Sequence, residues 1–293
     1  MKIALFVAGP KGANFLRNFR SDAIVVLVVS YPSKGLRQDA YGEIQSICRE
    51  KGYMLLDRVD VRPENYASVD LVLLIGWQWL TEGADQRYVV FHDSLLPKLR
   101  GFSPTVTALI TGETEIGVTA FSPIGGTAAV ADSGPVFGKE RLQIQYPVTI
   151  RSVYEQLGVA YRRLAERVIQ AAGAGPLSFS KQDEIEATYS IWRDEHDYRI
   201  NWAMSAQEIS RFVDAVGWPY MGAKCLLQGR EIWIDRVVAG RDLLVVNRCP
   251  GKIWSLAGWI PEVVCGSGML RILEAREADG SPVIFKSLRT RME

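Results

Sequence analysis

The chain has 293 residues, 48% of them apolar and 23% charged, enough to bury a large core and to form two domains rather than one. Its formal net charge of +1 gives no strong field toward polyanions, which argues against wholesale binding of nucleic acid or acidic membrane. The four cysteines (Cys48, Cys225, Cys249, Cys265) are scattered without a C-x-x-C pair beside only two histidines, so neither a metal site nor a disulfide framework is signalled and reduced cytoplasmic thiols are expected.

The apolar run Ile3 to Val7 is too short for a signal peptide and reads as a buried first strand, and no later segment reaches membrane-spanning length. A Gly9-Pro10-Lys11-Gly12 turn and a short helix follow. The turn could hold phosphate, but it lacks the full G-x-G-x-x-G pattern. Ala23 to Val29 is a continuous apolar run typical of a strand covered on both faces. Asp39 to Lys51 reads as a helix with Tyr41, Ile44, Ile47 and Cys48 on one stripe; strands follow at Tyr53 to Leu56, Asp70 to Ile75 and Tyr88 to Phe91. Repeated units of this kind predict an α/β fold with a doubly wound, parallel, Rossmann-like sheet.

Ser152 to Ala172 is a long amphipathic helix whose Val153, Leu157, Tyr161, Leu164 and Val168 form a core stripe. The small, breaker-rich Ala172 to Ser178 is the expected linker, giving domains 1–175 and 176–293. Ser205-Ala206-Gln207-Glu208 fits a capping box, and Ile209, Phe212, Val213 and Val216 supply the buried face of the helix it opens. Strands are then predicted at Cys225 to Leu227, Glu231 to Val238, Leu243 to Val246, Lys252 to Ser255, Glu262 to Cys265 and Leu270 to Glu274, a spacing that suggests a small OB-like barrel. An exposed edge of such a barrel would allow a homodimer.

Chemistry is expected where Val89-Val90-Phe91 stops at His92-Asp93-Ser94, because open α/β sheets place ligands at the carboxyl ends of their strands. A plain surface turn is the alternative from this segment alone. His92-Asp93-Ser94-Leu95-Leu96-Pro97, Arg100-Gly101, Pro104, Gly112 to Thr119 and Asp132-Ser133-Gly134-Pro135 together resemble the signature of folate-dependent formyltransferases. That family includes methionyl-tRNA formyltransferase and the N-formyltransferases of nucleotide-linked amino sugars. The resemblance continues through Ala187-Thr188-Tyr189, Arg199 to Trp202, Cys249 to Ile253 and Gly268 to Glu274, covering nearly the whole chain.

The resemblance implies 10-formyltetrahydrofolate as formyl donor and a catalytic set of Asn, His and Asp. His92 and Asp132 match the last two, whereas Val90 stands where the family has asparagine. A valine donates no hydrogen bond, and loss of one oxyanion donor costs about two to three orders of magnitude in rate. As imidazolium His92 would stabilise the oxyanion, as neutral base it would take the amine proton, and Asp132 would orient it. Taken alone, Asp132 is a turn former. Gln78, Trp79 and Leu80, then Ser94, Leu95, Leu96 and Pro97, and Ala128, Ala129, Val130 and Ala131 are implied to line the folate pocket. For Trp77 and Trp79, packing in the core is an equal reading.

For the acceptor, Tyr189, Trp192 and Arg193 lie in a run of aromatic and charged residues suited to stacking a base and pairing phosphates, with solvated surface as the alternative. Sparse basic residues around Tyr31 to Ala40 give little grip on a tRNA stem, which favours an amino sugar on a nucleotide over tRNA. A folate-binding or regulatory relative, with catalysis lost along with the asparagine, is a third reading.

Overall fold

The alternating apolar runs and amphipathic stretches form regular elements in the computed structural model, which describes residues 1–79, 84–123 and 131–293. Two units are distinguished, one comprising Met1–Thr105, Thr114–Ile144 and Ser152–Ile191, the other Val106–Glu113, Gln145–Arg151 and Trp192–Glu293. The first thus runs on past the breaker-rich 172–178 stretch to Ile191.

Strands β1 (Lys2–Val7), β2 (Ile24–Ser30), β3 (Leu55–Asp57), β4 (Leu71–Ile75), β5 (Tyr88–His92), β6 (Arg100–Gly101), β7 (Glu115–Phe121), β8 (Val136–Gln143) and β9 (Tyr189–Ser190) belong to the first unit. Helices α1 (Gly9–Asn18) and α2 (Tyr41–Lys51) lie between its early strands, and α3 (Pro104–Thr111) and α4 (Ile150–Ala174) each cross the division between units. Seven strands make one sheet in the order β3-β2-β1-β4-β5-β7-β8. The first five run parallel, as the repeated βα units require; β7 and β8 run antiparallel, so the sheet is mixed. The chain passes from β5 through β6 and α3 and returns as β7 beside β5 in the opposite direction, and β8 then pairs with β7 directly after it in the sheet.

Both faces of the parallel part are covered. Ala4, Phe6, Leu27, Val29, Val72, Leu74 and Tyr88 pack as one core cluster, while Ile3, Leu5, Leu73, Val89 and Phe91 are buried on the opposite face, with Phe91 against Tyr161 of α4. The stripe Val153, Leu157, Tyr161, Leu164 and Val168 of α4 is fully buried. Register brings Val7 level with Ile75 and Ile75 level with Phe91, so the β1–α1 turn, Gly76–Trp79 and His92–Ser94 emerge at one carboxyl edge. That edge includes the β1/β4 switch point, where sheets of this type bind ligands. Gly76, at φ +64, brings its backbone so close to β1 that an added Cβ would lie 2.5 Å from the Ala8 carbonyl oxygen.

In the second unit, Ser205 caps α5 (Ala206–Val216) in the expected capping box with Glu208. Ile209, Val213 and Val216 are buried, and Phe212 is half-buried. Strands β10 (Ala223–Leu227), β11 (Arg230–Gly240), β12 (Ile253–Ala257), β13 (Ile260–Val264) and β14 (Met269–Arg276) form an antiparallel sheet in the order β10-β11-β14-β13-β12. The last residues bond to both of its edges: Leu226 with Glu293 on β10, and Ile253 N–H to the Thr290 carbonyl on β12. The predicted strand Leu243 to Val246 is instead irregular, with Leu244 and Val246 almost wholly exposed. Apolar β-branched composition makes a strand only where a sheet edge is there to pair with it. No helix among the described residues is long and apolar enough to cross a membrane.

Candidate active site

His92 is the last residue of β5, paired in register with Thr119 of β7, and is 7% exposed. Alternation along the strand puts it on the same face as Val90. Its Nε2 lies 2.8 Å from the Leu99 carbonyl oxygen; a carbonyl only accepts, so this nitrogen carries a proton and donates. Its Nδ1 lies 3.5 Å from Oδ2 of Asp132. Both ring nitrogens therefore lie beside oxygens, Nε2 at hydrogen-bond distance and Nδ1 farther off, opposite the carboxylate.

The two oxygens facing the ring are held by strained backbone. Leu99 and Asp132 both have φ +55, the left-handed region that costs a non-glycine residue about 1 kcal/mol or more. Leu99 is kept there by its N–H bond to Thr188 Oγ1 at 2.9 Å, and Thr188 N–H donates to the Pro97 carbonyl. Asp132 Oδ2 accepts the Gly101 N–H at 2.8 Å. The chain after α4 is thus stitched to the His92 loop, with β9 pairing parallel to β6.

Beside the histidine, Asp93 is buried and ion-paired to Lys11 Nζ at 2.9 Å, and the Thr105 hydroxyl donates to its other oxygen. Burial pushes the Asp93 carboxyl up, but the Lys11 ammonium, the His92 ring and the Thr105 hydroxyl overcome it and hold it at about 2. Lys11, in the Gly9-to-Gly12 segment expected as a turn that could hold phosphate, lies instead in the first turn of α1 and is engaged by a carboxylate. Arg100 is wholly buried: its guanidinium donates to Gln182 Oε1 and makes a two-pronged contact with Glu184 at 2.8 Å per bond. It braces the loop from within.

The residues expected at the folate pocket divide. Ser94 is buried with its hydroxyl donating to the Lys98 carbonyl, and Leu96 is buried with its N–H donating to Thr119 Oγ1, so both secure the loop from within. Leu95 and Pro97 are half-buried. Gln78 is exposed, as is Ala131. Of the two tryptophans, Trp77 is packed edge-on to Phe6 and Tyr31 at 5.0 and 5.2 Å, whereas Trp79 is half exposed with the Arg58 guanidinium 3.9 Å from its ring centre. Leu80, Ala128, Ala129 and Val130 lie outside the described residues.

Of the acceptor residues, Tyr189 belongs to the first unit and is exposed; Trp192 and Arg193 belong to the second. Trp192 is exposed, and Arg193 spends one Nη on Thr107 Oγ1 at 3.3 Å. Val90 packs its methyls against Leu96, Phe121 and Val136, an apolar setting with no donor from that side chain. Sequence reading overlooked Gln182, whose amide donates to the carbonyls of Asp132 and Gly134 at 2.6 and 2.7 Å. A lone glutamine in a polar stretch carries no signal of such a role.

Comparison with known proteins bears on the chemistry. The Formyl transferase family model matches residues 1–169, and the model for the Formyl transferase C-terminal domain matches residues 193–290. Among solved structures, an N-formyltransferase from Helicobacter canadensis, in complex with folinic acid and dTDP-3-aminofucose, has 15% identity over 93% of this chain and 99% of its own, with a TM-score of 0.65. Methionyl-tRNA formyltransferase from Clostridium thermocellum has 16% identity over 82% of this chain and 94% of its own, at 0.59. HypX from Aquifex aeolicus in complex with tetrahydrofolic acid has 16% identity over 97% of this chain, at 0.61. The chain spans about half the length of the HypX chains it matches. Identities this low establish a shared fold, and the two family models, which between them take in both units, place this chain in the formyl transferase family.

Proposed function

We propose that the protein transfers a formyl group from 10-formyltetrahydrofolate to a primary amine, that of a nucleotide-linked amino sugar. The observation that carries this reading is the His92–Asp132 couple at the carboxyl edge of the first unit, where the family model matches. The described residues fit such a donor: Trp79 offers an indole face, Gln78 is exposed, and Leu95 and Pro97 add half-buried apolar surface of the kind a planar pterin takes.

When bound, 10-formyltetrahydrofolate supplies the electrophilic formyl carbon. His92 stabilises the negative charge that develops on the formyl oxygen, through an N–H that exchanges the Leu99 carbonyl for that oxygen. Asp132 orients the ring, and its side chain, 21% exposed against 8% for the ring, is the more open partner: it would take the proton of the attacking amine and return it to the departing folate nitrogen as the bond from that nitrogen to the formyl carbon breaks, which releases tetrahydrofolate. The loop of Ser94 and Leu96, secured through Thr119, holds the histidine in place while this happens.

The near-neutral charge favours a nucleotide-linked sugar over methionyl-tRNA, with exposed Tyr189, in the same unit as His92, as a contact. The scattered free cysteines fit a cytoplasmic reaction. One observation favours a second reading: Val90 in an apolar setting is what a folate-binding relative with weakened turnover would carry.

Incubation with 10-formyltetrahydrofolate and a panel of nucleotide-linked amino sugars, with charged initiator tRNA in parallel, tests the proposal. Mass spectrometry should find an N-formyl sugar together with released tetrahydrofolate. Formyl transfer to tRNA alone would overturn the choice of acceptor, and folate binding without transfer to any amine would leave only the second reading.

A further inference from the structure

Gln182 stands in the segment after α4, fifty residues along the chain from Asp132, yet its side chain holds the turn on which Asp132 sits. Both hydrogens of its amide nitrogen are used within that turn, one on the Asp132 carbonyl at 2.6 Å and one on the Gly134 carbonyl at 2.7 Å. Its amide oxygen accepts from Nε and Nη2 of Arg100 at 3.1 and 2.9 Å. The guanidinium is wholly buried and locked from its other side by Glu184, which fixes the direction of the carboxamide: reversed, its NH2 would face a cation and its oxygen two carbonyls.

Asp132 needs such a hold. Its backbone is in the left-handed region, and its carboxylate must meet both the Gly101 N–H and the His92 ring. Arg100 and Gly101 are adjacent, so the same short strand β6 anchors the amide oxygen of Gln182 and donates to the carboxylate of Asp132. We infer that Gln182 is a positioning residue, which sets the distance and direction of the Asp132 carboxylate toward His92 from outside the segment that the formyl transferase model matches. The inference rests on the reading of His92 and Asp132 as the reacting couple, but its geometry is measurable without any reaction.

Gln182→Glu is the informative change. A carboxylate keeps the bonds from Arg100, so the strap stays anchored, while both N–H donors to the turn are replaced by an oxygen facing two carbonyl oxygens. The chain has two histidines, and replacing the exposed His196 by glutamine leaves the His92 ring as the one imidazole to follow by 15N NMR. In that background, Gln182→Glu should move the Nδ1 resonance of His92 toward its position in Asp132→Asn. In the enzymatic assay kcat should fall about 10- to 100-fold, with KM for the formyl donor changed less than about twofold, as expected for a reacting group displaced by a fraction of an ångström. Gln182→Met, which loses the same donors with the same length, should do likewise and decides the matter if the glutamate variant fails to fold. Ring resonances at their wild-type positions in a folded variant would overturn the inference. If the wild type formylates no amine tested, the functional reading fails, and the ring resonances still decide whether Gln182 positions Asp132.

Discussion

Asp93→Asn tests how the edge of the sheet is held together. The carboxylate is 6% exposed and ties three elements: β5 through its own position, α1 through Lys11 and the start of α3 through the Thr105 hydroxyl. Its carboxyl is held at about 2 against an ordinary 3.8. A difference of nearly two units at about 1.4 kcal/mol per unit makes the ionised form worth about 2 kcal/mol to the fold. An asparagine keeps the shape and a partner for Thr105 but takes the Asp93 charge away from the largely buried Lys11 ammonium, and removing one partner of a buried pair costs about 3 to 5 kcal/mol. We therefore expect the first unit of the variant to be less stable by about 2 to 4 kcal/mol at pH 7. Because the folded-state value lies below the unfolded one, the contribution is complete above about pH 4 and is lost as pH falls toward 2. Urea unfolding followed by tryptophan fluorescence at pH 7, 5, 4 and 3 should show the gap between wild type and variant steady down to pH 5 and narrowing below 4. With Lys11→Met as the background, Asp93→Asn should cost less than it does alone, since the two charges act as one pair. A gap below about 0.5 kcal/mol at pH 7, or one equally large at pH 3, would refute this account of the pair.

His92→Ala should abolish formyl transfer while affinity for a folate analogue, measured by calorimetry, stays within a few-fold; undiminished turnover would remove the histidine from the mechanism. Val90→Asn should raise kcat by about tenfold or more, at a cost in stability of about 1 to 3 kcal/mol for burying an amide among Leu96, Phe121 and Val136. Steady-state kinetics beside thermal unfolding separate the two effects, and an unchanged kcat in a folded variant would mean that another donor already serves the oxyanion. Ser205→Ala removes the hydroxyl that accepts the Glu208 N–H at the start of α5, while the backbone N–H at position 205 still meets the Glu208 carboxylate, and should cost about 1 kcal/mol in thermal unfolding of the second unit, with no change in KM.

Much of the fold was legible because it is written in short-range pattern. The continuous apolar runs of β1, β2 and β4, the stripe along α4 and the Ser205–Glu208 box depend on neighbours within a turn or a few residues, and each forms where the sequence indicates. Strand direction is not so written: β7 has the same apolar alternation whether it runs parallel or antiparallel, and its pairing with β5 and β8 decides. Leu243 to Val246 shows the converse, a good strand composition with no edge beside it. In the site, His92 and Asp132 stand out in the sequence through resemblance to a family, but their 3.5 Å separation depends on a turn held by Gln182 and Arg100. That Trp77 is packed away while Trp79 is open, or that Lys11 meets Asp93 across 82 residues, depends on which strands lie side by side. Local periodicity reports the surroundings of a residue along the chain; the partners of a buried charge or a positioning amide are chosen by sheet order and register, which bring together residues that share no pattern in the sequence.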